Sequence, residues 1–544
     1  MKKTLLLLAA VASFSCKNDN AEKTAETEAV QVDSTNVEEI EYKQVDSKVI
    51  DNDSLWKPFE EDLSDFSSEI YEEVKVLIFE KSIPEIQQAI KNDKLTYEEL
   101  AMFYLTRIKE YDRENEFSLN SVISLNPNLI KEAREKDQQK SKAVNNHPIF
   151  GIPVLLKDNI NASGMPTTAG SFALQNNKTG DAFIVKQLKN NGALILGKAN
   201  LSEWANFFCE GCPNGFSTVG GQTLNPYGRK IHDTGGSSSG SGVAVAANLA
   251  PVAVGSETSG SILSPSSSNS IVGLKPTIGV LSRGGIIPIS STLDTPGPMT
   301  RNVIDNAILL DAMLGVDDAD PASKAAGGQR TGYYSEITET SLEGKRFGVI
   351  KSLMEDSLYV RAINDLKNAG AVIVEFEAEE IDLPNFIRLL NLDMKKDLSA
   401  YLKNYGGEVN YKNVQDIIDY NNQDTLNRAP YGQALFMGIV DDSATSEEFA
   451  GIKDSLKTNG TRFLEKPIKE NKLDAILSIN NYHAGYAAVA KYPAITVPMG
   501  YTSENKPAGL TFIGEPFNEE QLLQFAYNFE KTTQRRKTPE NYDE

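Results

Sequence analysis

Two clusters of serine and glycine are the most unusual feature of the chain, and their residue types suit nucleophilic chemistry. The first cluster covers residues 235–242, with four serines and four glycines, and leads into an apolar run that reaches Ala250. The second covers residues 255–261 and ends in Gly260 and Ser261. A serine hydroxyl is a weak nucleophile and needs a base that accepts its proton. The two clusters are therefore the candidate reaction centre.

The first cluster is open to other interpretations. A flexible Gly/Ser linker does not usually stand between patterned elements and lead directly into an apolar helix. A phosphate-binding loop would need Gly-Lys-Ser/Thr, which does not follow. Residues 236–240 also match the G-x-S-x-G pattern of an α/β-hydrolase, with Ser238 as nucleophile and His483 as base, but that motif requires a buried strand before it. Residues 227–234 are too polar to form one.

Lys157 is the candidate base, since it ends the apolar run at residues 152–156. A lysine has an unperturbed pKa of roughly 10.4 and accepts a proton only when burial or neighbouring charges keep it neutral. Burial at the end of an apolar run is consistent with this role, although such a lysine on its own also fits a solvated strand end. The three histidines, His147, His232 and His483, stand in no catalytic pattern, and a structural role is favoured for each.

Longer stretches around these residues resemble the amidase signature family, and its peptide-amidase-like branch in particular. The resemblance covers about residues 83–539, and its stretches include "HPIFGIPVLLKDNI", "MPTTAGS", "ALILGKANLSEWANF", "GGQTLNPY", "GGSSSGSGVAVAANLAPVAVGSETSGSI", "VGLKPTIGVLSRGGIIPIS", "YPAITVPMGY" and "AGLTFIGEPFNEEQLLQFAYNFE". The combination of these stretches is far more specific than any one of them. It implies an enzyme that hydrolyses carboxamides, with a small-molecule or peptide amide as substrate.

The resemblance also implies a role for each candidate residue. Lys157 matches the family's base, Ser237 its cis-peptide relay serine, and Ser261 the serine that becomes acylated. The oxyanion would be held by the backbone N–H groups of four consecutive residues: Thr258, Ser259, Gly260 and Ser261. No metal, cofactor or obligatory protein partner is implied. The chain departs from the family pattern at Ser239, Ser259 and Ser266, where glycine, aspartate and alanine are usual, and none of these departures removes a catalytic group.

Two further functions remain possible on the same scaffold. The family includes the amide-transferring subunit of a tRNA-dependent amidotransferase, but that is a cytosolic partner of other subunits, and the start of this chain reads as a secretion signal. A non-catalytic surface-binding lipoprotein would be expected to have lost a member of the triad, whereas Lys157, Ser237 and Ser261 are all present.

Hydrophobic patterning predicts an α/β fold in one domain. Short apolar runs at residues 152–156, 193–196 and 252–254 alternate with glycine-rich turns and helical stretches, as expected for buried strands. Thr96 and Glu99 form a capping-box pattern at the start of a helix. Residues 341–471 are charged and helix-rich, and we expect them to shape the substrate pocket. The family resemblance implies a large mixed β-sheet covered by helices on both faces.

The start of the chain reads as a targeting segment. Lys2 and Lys3 precede an apolar run and the small Ser15, so residues 1–15 are predicted to be a signal peptide. Cys16 then resembles the lipidated cysteine of bacterial lipoproteins, although a plain secretory signal with an incidental cysteine remains an alternative. A lipid anchor would hold the protein at a membrane surface of the bacterial cell envelope, in the periplasm or at the outer membrane.

The acidic residues are concentrated behind this signal. Residues 17–66 contain 15 Asp and Glu against five Lys and Arg, which accounts for about half of the net charge of −21. Residues 16–68 are therefore predicted to be a lipidated N-terminus with a disordered tether, and residues 69–540 the folded domain. The negative charge and the scattered basic residues argue against nucleic-acid binding.

Cys209 and Cys212 form a C-x-x-C pair. Zinc would need further ligands, which the nearby sequence does not supply. In an oxidising compartment a local disulfide is as plausible as two free thiols. Neither cysteine is assigned to catalysis.

We expect the mature chain to begin at lipidated Cys16, because a charged start, an apolar run and a small residue precede it. Intact-mass analysis of the processed protein should show acyl chains on an N-terminal cysteine. An unmodified N-terminus at another residue would exclude lipidation and still allow secretion.

Overall fold

The computed structural model describes residues 39–140, 147–326, 332–337 and 340–543. The predicted signal peptide and Cys16 therefore lie outside the described residues. Among the described helices, none combines the length and the apolar composition that crossing a bilayer requires.

An 11-stranded sheet forms the centre of the molecule. Eleven strands belong to it and two form a small separate hairpin; in chain order they are β1 Val122–Leu125, β2 Pro153–Lys157, β3 Leu194–Ala199, β4 Phe216–Ser217, β5 Gly221–Gln222, β6 Val252–Glu257, β7 Val272–Lys275, β8 Thr295–Thr300, β9 Arg346–Ile350, β10 Val372–Phe376, β11 Ala475–Ile479, β12 Ala494–Tyr501 and β13 Pro507–Ile513. The order in the large sheet is β1-β3-β2-β6-β8-β7-β12-β13-β11-β9-β10.

The sheet is mixed, as predicted. Strands β3, β2 and β6 run parallel, as do β11, β9 and β10, whereas the strands between these two sets pair antiparallel. Every residue of β2, β3 and β6 is buried, and such parallel strands read as continuous apolar runs because both of their faces are covered. The predicted strands at residues 152–156, 193–196 and 252–254 are thus confirmed, although β3 and β6 each extend three residues further than predicted.

Helices pack against this sheet and extend from it. Their bounds are α1 Asn52–Trp56, α2 Glu60–Asp65, α3 Ser68–Ile78, α4 Ile83–Lys91, α5 Tyr97–Tyr111, α6 Leu129–Gln139, α7 Phe183–Asn190, α8 Ser239–Ala246, α9 Leu263–Ser268, α10 Val303–Met313, α11 Pro321–Ala326, α12 Tyr333–Glu336, α13 Ser357–Asn368, α14 Phe386–Asn404, α15 Val414–Asn422, α16 Thr425–Arg428, α17 Ala434–Asp441, α18 Ser446–Asn471, α19 Ala484–Ala490 and α20 Glu519–Thr533. Short 3₁₀ turns occupy Lys57–Phe59, Phe172–Leu174, Glu203–Asn206 and Lys351–Leu353.

Local sequence signals explain several of these boundaries. The predicted capping box starts α5, where the Thr96 side chain accepts a hydrogen bond from Glu99 N and the Glu99 carboxylate accepts one from Thr96 N. Residues 341–471 contain six helices, as predicted, but also β9 and β10, which the sequence analysis missed. These strands are only five residues long, and β10 lies at the sheet edge with Val372 exposed. A short, half-exposed strand leaves little hydrophobic pattern to detect.

Residues 39–68 differ from the predicted disordered tether. Tyr42 and Val45 pack against the main core, and Gln222 N donates to Val45 O at 2.7 Å. Phe59 and Phe66 are buried in that core. These few aromatic residues provide the apolar anchor that the acidic composition obscures. Residues from Glu39 onward thus belong to the same compact unit as the sheet.

Replacing Phe59 with alanine should destabilise the fold, because the side chain is 1% exposed and a buried Phe→Ala change typically costs about 3–5 kcal/mol. Val76→Ala is the matched control, since Val76 lies on α3 and is 70% exposed. Thermal unfolding should show a clearly lower midpoint for the Phe59 variant only. Equal midpoints for the two variants would show that this segment does not pack as described.

Candidate active site

The three candidate catalytic residues come from elements that meet at one edge of the sheet. Strands β2 and β6 are parallel neighbours, with Val154 opposite Val252 and Leu156 opposite Val254. Their carboxyl ends, at Lys157 and Glu257, therefore lie side by side. This is the edge where open α/β sheets bind their ligands.

Lys157 contacts the first serine cluster directly. Its Nζ lies 2.8 Å from Ser237 Oγ and donates a hydrogen bond to the carbonyl oxygen of Ser256 at 2.9 Å. Ser237 follows a cis peptide bond from Gly236. Both side chains are fully buried. The structure thus joins two of the three predicted residues across 80 positions of the chain.

Burial lowers the pKa of Lys157 to about 7, although the charges of Asp294 and Glu257 raise it in part. Among the described residues, no carboxylate forms an ion pair with its amine. A neutral amine has two N–H bonds and one lone pair. When one N–H donates to Ser256 O, the lone pair can accept the proton of the Ser237 hydroxyl.

Ser261 lies on the turn between β6 and α9. Its carbonyl accepts a hydrogen bond from Ser238 N at 3.1 Å, which fastens this turn to the residue that follows Ser237. The carboxylate of Glu257 accepts hydrogen bonds from Ile262 N and Leu263 N at 2.8 and 3.0 Å, and so closes the turn from the other side. Ser261 is 8% exposed, so its side chain is nearly enclosed.

The turn also presents backbone donors. In the described structure, the N–H groups of residues 258–261 donate to no other oxygen of the protein. Gly260 has φ +83°, and a Cβ there would lie 2.9 Å from Asn481 Nδ2. Because this left-handed conformation and this close approach both disfavour a side chain, glycine is required at position 260.

The other serines of the first cluster have structural contacts. Ser238 Oγ donates to Ser256 O at 3.1 Å and accepts from Ser256 N at 3.2 Å. Ser239, where the family usually has glycine, donates to Gly235 O at 2.7 Å. Among the described residues, no hydrogen bond joins Ser238 to His483. Instead, His483 Nδ1 lies 2.6 Å from Ser478 Oγ, and burial lowers its pKa to about 4.

Two supporting groups escaped the sequence analysis. Lys198 Nζ lies 2.9 Å from Asp158 Oδ1, and both side chains are fully buried. The other oxygen of Asp158 accepts hydrogen bonds from the backbone and hydroxyl of Thr168, so this ion pair fixes the turn that follows Lys157. Lys198 ends the apolar run of β3 just as Lys157 ends that of β2. This shared position at the end of an apolar run is the sequence signal that could have identified Lys198.

Asp294 is the second missed group. Its Oδ1 accepts from Thr258 Oγ1 at 2.6 Å, and its Oδ2 accepts from Ile289 N and Ser290 N at 2.8 and 2.9 Å. The carboxylate thus ties the turn of Ser261 to the segment that forms the cavity wall. Burial raises its pKa to about 6. No local sequence pattern marks Asp294, because its side-chain partner lies 36 positions before it and its two nearby partners are backbone N–H groups, which any residue type supplies.

A cavity of about 270 Å³ opens beside this turn. Asn159, Ser256 and Thr258 form the wall next to the serines. The wall also contains Tyr401 on α14 and Tyr405 just after it, so the helix-rich region does shape the pocket as expected.

The paired cysteines lie apart from this chemistry. Cys209 and Cys212 are joined by a disulfide, with their Cα atoms 5.8 Å apart. The described residues contain no group of three or more His, Cys, Asp or Glu side chains arranged to hold a metal ion.

Comparison with known proteins identifies the class. The family model described as Amidase matches residues 99–523, so the chain belongs to the amidase family. It is similar to a probable amidase of Arabidopsis thaliana, with 38% identity over 85% of this chain and 92% of that protein. This family membership, together with the mixed sheet, makes the protein an amide-hydrolysing enzyme.

Solved structures agree with this assignment. An amidase family protein from Bacillus anthracis has a TM-score of 0.87 and 37% identity, and the match covers 91% of this chain and 100% of that chain. The peptide amidase from Stenotrophomonas maltophilia has a TM-score of 0.80 and 37% identity, and the match covers 85% of this chain and 98% of that one.

Proposed function

We propose that this amidase cleaves carboxamide C–N bonds through an acyl-enzyme on Ser261, with Ser237 as proton relay and Lys157 as base. The observation that carries the proposal is the 2.8 Å contact between Lys157 Nζ and Ser237 Oγ, at an amine whose pKa burial lowers to about 7. At neutral and alkaline pH a large fraction of this amine is uncharged and able to accept a proton.

The reaction proceeds in two stages. Lys157 accepts the proton of Ser237, which takes the proton of Ser261, and Ser261 Oγ attacks the amide carbonyl carbon. The backbone N–H groups of residues 258–261 hold the oxyanion; losing one such donor typically costs about 100- to 1,000-fold in rate. The C–N bond then breaks, and the relay returns a proton to the leaving nitrogen. Water hydrolyses the ester on Ser261 and releases the carboxylate.

We also propose that the enzyme acts at a membrane surface of the cell envelope, held there by acyl chains on Cys16. The support for this localisation is the sequence of residues 1–16.

The serine variants should separate the proposed roles. Ser261→Ala should reduce ammonia release from a panel of amidated peptides and simple carboxamides by at least about 1,000-fold, because it removes the nucleophile. Ser237→Ala should cost about 100- to 10,000-fold, since it interrupts proton transfer. Ser238→Ala is the matched control and should lose less, because Ser238 bonds only to backbone groups. A Ser238 variant more damaged than the Ser261 variant would contradict the assignment.

The pH dependence of kcat/KM should show the protonation of Lys157, the proposed base. Below a pH of about 7, Lys157 becomes protonated and cannot accept the proton of Ser237, so kcat/KM should fall along an acid limb centred near that value. Asp294→Asn should move this limb to lower pH, because the Asp294 charge raises the pKa of Lys157. The control Asp419→Asn removes an exposed carboxylate on α15 and should leave the limb in place. A Lys157→Ala variant with full activity and the same limb would overturn the base assignment.

A further inference from the structure

The charges around the active-site cavity are unbalanced. One guanidinium, that of Arg283, lines it together with three carboxylates, those of Asp294, Asp320 and Asp397. Burial lowers the pKa of Arg283, but the negative charges of these three carboxylates raise it. The net effect is a raised pKa. No lysine or histidine lines the cavity within the described part of the chain. At neutral pH the wall therefore has an excess of negative charge.

The guanidinium of Arg283 is already paired with other groups of the protein. Arg283 Nε donates to Asp320 Oδ2 at 2.9 Å, and its two other nitrogens contact Asp320 Oδ1 and Ser291 O. This two-pronged pairing leaves Arg283 poorly placed to bind an anionic substrate. Asp397 accepts a hydrogen bond from Ser291 N at 2.6 Å. Among the described residues, no Lys or Arg side chain forms an ion pair with Asp397.

A second, independent feature, an unpaired amide oxygen, also favours a ligand that carries a hydrogen-bond donor. Asn159 lines the cavity and is 3% exposed. Its Nδ2 donates to Ser256 Oγ at 2.9 Å, whereas its Oδ1 is buried and has no partner. A buried amide oxygen without a donor costs free energy that a ligand N–H would recover.

The remaining wall is apolar and aromatic. Ile286, Ile287 and Pro288 line it, together with Tyr401 and Tyr405, whose rings stack with centroids 6.2 Å apart. An alkyl chain gains free energy from contact with such a surface, and a cation also gains from an aromatic face.

We infer that this cavity selects carboxamides whose acyl chain is apolar along its length and ends in a protonated amine, and that it rejects the same chain ending in a carboxylate. The inference rests on the proposed function, because the cavity adjoins the turn that carries Ser261. The alkyl part lies against the isoleucines, the ammonium group against Asp397 and the tyrosines. A carboxylate placed there meets three acidic side chains and a guanidinium that is already paired. Since ammonia is the small leaving group of a primary amide, the cavity holds the acyl part.

The test compares amides that differ only in their terminal group. Hexanamide, its ω-amino analogue and its ω-carboxy analogue, with shorter and longer homologues of each, are supplied above the pH of the acid limb. Wild-type enzyme should favour the ammonium-bearing member over the carboxylate-bearing member by at least about tenfold in kcat/KM, which corresponds to about 1.4 kcal/mol. Asp397→Asn should reduce this ratio several-fold, because it removes the charge and keeps an acceptor for Ser291 N–H. Asp419→Asn, the matched loss of a distant exposed charge, should leave the ratio as it is.

Binding separates this inference from the proposed mechanism. Dissociation constants of the same amides for Ser261→Ala protein, measured by calorimetry, should show the same order without turnover. If wild-type enzyme releases no ammonia while the ammonium-bearing amide still binds best, the mechanism fails and the charge preference stands. Equal binding and turnover of the ammonium and carboxylate members, or a preference unchanged by Asp397→Asn, would overturn the inference.

Discussion

The burial of the Lys157 amine without a paired carboxylate is the constraint on which the site depends. The parallel neighbours β2 and β3 each carry a buried lysine near their carboxyl end. Comparing the two shows how a carboxylate partner affects the charge of a buried amine. Lys198, at the end of β3, is equally buried, and burial lowers its pKa too, but Asp158 at 2.9 Å opposes that shift and favours the charged form. Lys157, at the end of β2, has a carbonyl and a hydroxyl as its close partners, so burial lowers its pKa to about 7. One lysine fixes a turn, while the other is the base in the proposed mechanism.

A lysine with this lowered pKa can serve as a base only if the serines are held against it, and the sheet edge provides that arrangement. The parallel pairing of β2 with β6 brings Lys157 next to the turn of Ser261. Ser238 links the start of α8 to Ser256 and to the carbonyl of Ser261. Asp294 extends the same network to the cavity wall, so the proposed nucleophile, the proposed oxyanion donors and the cavity share one set of hydrogen bonds.

The proposed reacting residues could be singled out from the sequence, because they lie on strongly patterned elements. Lys157 ends a buried strand, and Ser237 and Ser261 stand in glycine-rich turns beside a buried helix and a buried strand. The supporting carboxylates could not be predicted in this way. The side-chain partner of Asp294 and the backbone partner of Asp397 lie 36 and 106 positions away, and nothing in the neighbouring residues distinguishes these two acids from surface acids.

The prediction of a disordered tether at residues 39–68 was wrong because it was drawn from composition. Composition averages over a segment and so indicated a solvated tether, whereas packing depends on single residues such as Phe59 and Phe66, which bury their rings in the core. A few aromatic contacts outweigh many exposed acidic residues, because those acids lose little hydration when the segment packs.

The most direct test of the account is the identity of the serine that becomes covalently modified. A fluorophosphonate should react with a serine only where a base and an oxyanion site activate it. Peptide mapping by mass spectrometry after labelling should place the label on Ser261 alone, and Ser261→Ala should abolish it. A label on Ser238 that depends on His483 would contradict the account and favour an α/β-hydrolase mechanism instead.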